Sequence, residues 1–155
     1  HLRKAGAAVE FISVEGATHT VTWYEQYRDK VIDFVKNEKR NPYPERFYWE
    51  VDAQLSYPRF HWLIIDEVQP TDDAKFISLV QQGNRIVMTT EHISQLTLLL
   101  SPEQFDFSQE INIENNNKVI FQGKVQFDNA ILTKWYQVDR DIAQLYGAEL
   151  TLHVQ

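Results

Sequence analysis

The chain has no cysteine, which excludes a disulfide framework and any zinc site built on thiolates. Glycine and proline are scarce, five of each in 155 residues, so collagen-like and low-complexity architectures are excluded as well. No apolar run approaches the 18 residues of a membrane-spanning helix; the longest, such as Trp62-Leu63-Ile64-Ile65 and Leu98-Leu99-Leu100, are strand-sized. Basic residues are outnumbered 15 to 22, for a net charge of −7. An acidic chain with no basic stripe lacks the charge to displace phosphate counterions, which argues against nucleic acid as a partner. His61, His92 and His153 show no His-x-x-x-His spacing, so no metal site is proposed from them. No repeat of propeller or solenoid period is visible. What is present is ordinary globular material: 43% hydrophobic residues, with aromatics (13%) spread along the chain.

The negative charge is unevenly placed. Residues 1–45 hold seven Lys/Arg and seven Asp/Glu, so the whole excess lies in residues 46–155. The division coincides with Asn41-Pro42-Tyr43-Pro44, where two prolines favour extended backbone and cannot continue a helix. We therefore expect two unlike pieces, 1–45 and 46–155.

The first piece reads as a helix end, a strand, a turn and a helix. Leu2-Arg3-Lys4-Ala5-Gly6 has the basic residues and terminal glycine of a last helical turn. Residues 8–15, centred on Val9-Glu10-Phe11-Ile12-Ser13-Val14, are β-rich. Gly16-Ala17-Thr18-His19-Thr20 is a turn. Thr22-x-x-Glu25 matches a capping box, and Trp23, Tyr27, Val31, Phe34 and Val35 recur at helical spacing towards Arg40. A single strand between helices cannot satisfy its own backbone groups. It must join a sheet elsewhere in the chain, in an upstream segment, or in another molecule by intermolecular strand pairing.

This order (Arg3-Lys4-Ala5-Gly6, strand, Glu15-Gly16-Ala17-Thr18-His19, amphipathic helix) resembles the C-terminal end of an α/β-hydrolase catalytic domain. The resemblance implies that His19 is the general base of a serine acyl-transfer triad and that Gly16 provides the tight turn of its loop. The family places serine, acid and histidine in that chain order, and the sequence contains no Gly-x-Ser-x-Gly. The resemblance therefore implies that nucleophile and acid lie upstream, that the upstream part of the same catalytic domain is the partner, and that this chain alone is catalytically silent. No cofactor or metal is expected. The residues do not fix the compartment, with which a secreted or periplasmic location is compatible.

The second piece alternates. Strands are expected over 47–52, 59–68, 74–81, 85–90, 95–100, 111–113, 119–121 and 150–154, with a hairpin turn at Gln82-Gly83-Asn84 and another at Asn115-Asn116-Asn117. A helix is expected over 129–145, ended by Gly147. The fold class is thus mostly β: an antiparallel β-sandwich with one appended helix, preceded by a strand–loop–helix remnant of an α/β-hydrolase fold. This part also resembles, more loosely, the accessory β domain that follows the catalytic domain in some bacterial esterase- or peptidase-like hydrolases. Two groupings here could carry function: the carboxylates Asp66, Glu67, Asp72 and Asp73 for calcium, though they lack an EF-hand spacing, and Tyr48, Tyr57 and Trp62 as a sugar-stacking platform or interdomain face. The competing functional class is a non-catalytic binding or structural β-sandwich module.

Overall fold

In a computed structural model, residues 9, 11–19, 21–52 and 54–154 are described. The chain divides into two compact units, His1–Arg40 and Asn41–Gln155.

In the first unit, helix α1 spans Tyr24–Asn37. It is entered through a 3-10 turn, Val21–Trp23, which places Thr22 inside the turn and Trp23 at the cap. The Thr22–Glu25 capping box expected from sequence is therefore not the entry. The helix stops at Asn37, short of Arg40, because Glu38 turns extended while its N–H still bonds the Phe34 carbonyl at 2.8 Å. The strand expected over 8–15 is not formed across residues 11–14, which carry no ladder pairing among the described residues. Its positions 8 and 10, and the expected helix end over 2–6, lie outside the described residues. A β-rich run without a neighbour to exchange hydrogen bonds with cannot register as a strand, whatever its side chains favour.

The second unit holds, among the described residues, nine strands and one helix: β1 (Arg46–Val51), β2 (Arg59–Phe60), β3 (Leu63–Val68), β4 (Lys75–Gln82), β5 (Arg85–Glu91), β6 (Ile93–Leu100), β7 (Ile111–Asn115), β8 (Lys118–Gly123), α2 (Asn129–Asp139) and β9 (Ala148–His153). They form a five-stranded sheet, β1-β4-β5-β7-β8, and a four-stranded sheet, β2-β3-β6-β9. The architecture is mostly β, a sandwich with an appended helix, but not wholly antiparallel. β7 lies parallel to β5, because the chain crosses to the other sheet as β6 before returning.

The period-2 pattern decides which residues face inward. In β4, Ile77 and Leu79 are buried while Val80 and Gln82 are exposed; in β5, Ile86 and Met88 are buried. With Trp62, Leu63, Leu96, Leu98, Ile111 and Ile113 they build one core shared by both sheets. Two hairpins follow their turn residues. Gly83 takes φ +55° between β4 and β5, and Asn116 and Asn117 take +49° and +64° between β7 and β8. The run over 59–68 is broken into β2 and β3 by a tight turn at His61-Trp62, where His61 adopts φ +54°. That turn sends Trp62 fully into the core, with its indole N–H donating to the Pro44 carbonyl at 3.2 Å.

α2 begins as expected, with the Asp128 carboxylate accepting from the Ala130 N–H. It ends at Asp139, well short of residue 145, with Arg140 left-handed at φ +50°. Ile142, which extends the apolar period on paper, is 79% exposed. Gly147 does not end the helix; it makes room for an aromatic ring, since a Cβ there would lie 2.2 Å from the Phe127 side chain. The proline-rich stretch is bonded to the second unit. The Tyr43 hydroxyl accepts from the Leu145 N–H at 2.7 Å and donates to its carbonyl, and the Gln81 N–H donates to the Glu45 carbonyl at 2.7 Å.

Candidate functional site

His19 lies in a bend after a tight turn in which the Ala17 N–H donates to the Val14 carbonyl at 3.3 Å. Gly16 occupies that turn at φ +71°, a conformation costly for any residue with a Cβ. His19 is exposed and, among the described residues, has no hydrogen-bond or ion-pair partner. Acyl transfer needs an acid that orients the imidazole and a hydroxyl for it to deprotonate, and among the described residues His19 is hydrogen-bonded to neither.

The surroundings of this loop are unusually apolar for an exposed surface. Every described residue of α1 is at least partly open to solvent, although its sequence carries a core-type stripe. Trp23 and Tyr27 are half-buried, whereas Phe34 and Val35 are 51% and 68% exposed. Residues 11–14 contribute Phe11, Ile12 and Val14. Between them and α1 run two adjoining grooves, of about 250 and 170 Å³, which share Ile12 and Val31. With no fully buried residue, α1 draws little of its stability from packing, and 14 residues is marginal length for a helix that relies on propensity.

The carboxylates considered for calcium do not converge. Asp66 accepts from the Thr97 hydroxyl at 2.8 Å, and Asp73 from the Thr71 hydroxyl at 2.8 Å. The ammonium of Lys75 already donates to the Thr71 and Asp73 carbonyls, so a cation occupies the loop's oxygens. Among the described residues no three His, Asp or Glu side chains gather as metal ligands do. The aromatic trio is likewise dispersed. Trp62 is core; Tyr48 lies on the outer face of β1 against Phe76, with ring centroids 5.5 Å apart, and Tyr57 stands in a loop.

The most elaborate polar arrangement is one that no local sequence pattern announces. Arg59 on β2 donates to both Asp139 oxygens, at 2.7 and 2.8 Å, while its guanidinium lies 4.7 Å from the Trp135 ring and 5.4 Å from Tyr146. Burial works against the Arg59 charge, but the hydrogen bonds to Asp139 and Tyr146 outweigh it and hold its pKa above the ordinary value. Burial also raises the Tyr146 phenol, so both groups keep fixed protonation states. Asp139 and Tyr146 lie 80 and 87 positions from Arg59 along the chain. The arrangement clamps α2 to the sheet.

No protein-family model, no curated protein and no solved structure matches the chain.

Proposed function

We propose that the chain is the C-terminal portion of a serine α/β-hydrolase that cleaves an ester or peptide bond, with His19 as the triad base and residues 41–155 as its accessory β-sandwich. In the intact enzyme His19 takes the proton from a serine hydroxyl as it attacks the acyl carbon, then returns that proton to the leaving group. A water molecule, deprotonated by the same imidazole, then attacks the acyl carbon; the ester bond to the serine oxygen breaks, the imidazolium returns the proton to that oxygen, and the carboxylic acid leaves. The serine and the acid come from upstream of residue 1.

The observation supporting this reading is the uncovered apolar face of the first unit. Ile12 and Val14 line shared grooves with Trp23, Tyr27, Val31 and Phe34 of the helical segment, and His19 lies in the loop between the two runs. Such a face suits packing against a parallel sheet, whose faces helices cover. The second reading, a binding or structural module without chemistry, is supported by the closed core of the sandwich, whose buried residues all come from 47–154. The two are separated by treating the full-length gene product with a fluorophosphonate probe and mapping the adduct. The hydrolase reading expects a labelled serine upstream of this chain within Gly-x-Ser-x-Gly. An unlabelled full-length protein would remove it.

A further inference from the structure

We draw no further inference here: the strongest candidate, the apolar face that α1 and residues 11–14 present in the N-terminal unit, belongs to the site already proposed, and among the described residues nothing else shows what covers it.

Discussion

Removing the Asp139 carboxylate should loosen α2 from the sandwich. The bond to Arg59 is bidentate, with side chains only 23% and 16% exposed. Breaking a fully buried pair by deleting one partner costs about 3–5 kcal/mol, whereas an exposed pair contributes about 0–1 kcal/mol. This pair stands between those limits, and in Asp139→Ala the guanidinium keeps Trp135, Tyr146 and the His61 carbonyl as company. We therefore expect a loss of about 2 kcal/mol, between the two regimes. In a unit of this size that lowers the melting temperature by about 6–10 °C. Urea unfolding followed by tryptophan fluorescence reads the loss, since Trp62 and Trp135 are both buried. The double variant Arg59→Met/Asp139→Leu removes both charges and should recover at least half of it. Amide exchange should accelerate over Asn129–Asp139 in Asp139→Ala and stay slow in β6. A loss under about 0.5 kcal/mol, or additive single variants, would refute the clamp.

Gly147→Ala forces a methyl against the Phe127 ring and should cost about 1–3 kcal/mol in thermal unfolding, with Phe127→Ala in the same chain relieving most of it. The Asp52 carboxyl is held below its usual range by the N–H groups of Gln54 and Ser56, and that of Asp106 by the Ser108 hydroxyl and N–H. Because both are depressed on folding, their stabilisation is present above about pH 4 and is lost as pH falls through the folded values. Asp52→Asn/Asp106→Asn should flatten the fall of the urea midpoint below about pH 4 relative to wild type. Trypsin should cut first after Lys39 or Arg40, exposed residues outside helix or strand, and leave a folded product beginning at Arg40 or Asn41, read by mass and circular dichroism.

Much of the sandwich is legible in the sequence because alternation and turn chemistry are local. The Asn115-Asn116-Asn117 hairpin, the Gly83 turn and the buried run at Trp62-Leu63 all follow from side chains within a few positions of one another. The departures have non-local causes. β5 and β7 are parallel because β6 is drawn into the opposite sheet, a pairing that no short window of sequence contains. α2 ends at Asp139, where Arg140 turns left-handed, although the apolar period runs on through Ile142 and Leu145, and the partner that holds its last residue, Arg59, lies 80 positions away on β2. The Arg59 clamp itself leaves no pattern in the sequence. His19 stands out only by its order with the flanking residues, and of these 11–14 carry no ladder pairing among the described residues. The stripe on α1 is apolar as its spacing implies, yet periodicity cannot say whether a stripe finds its cover.

The most direct measurement is the effect of His19→Ala on ester hydrolysis by the full-length gene product. The account predicts that kcat falls by at least about 10³-fold with the protein still folded, as loss of a triad base does, and that the isolated 155-residue chain hydrolyses nothing. Unchanged turnover in the His19→Ala enzyme, or hydrolysis by the isolated chain that His19→Ala abolishes, would contradict it.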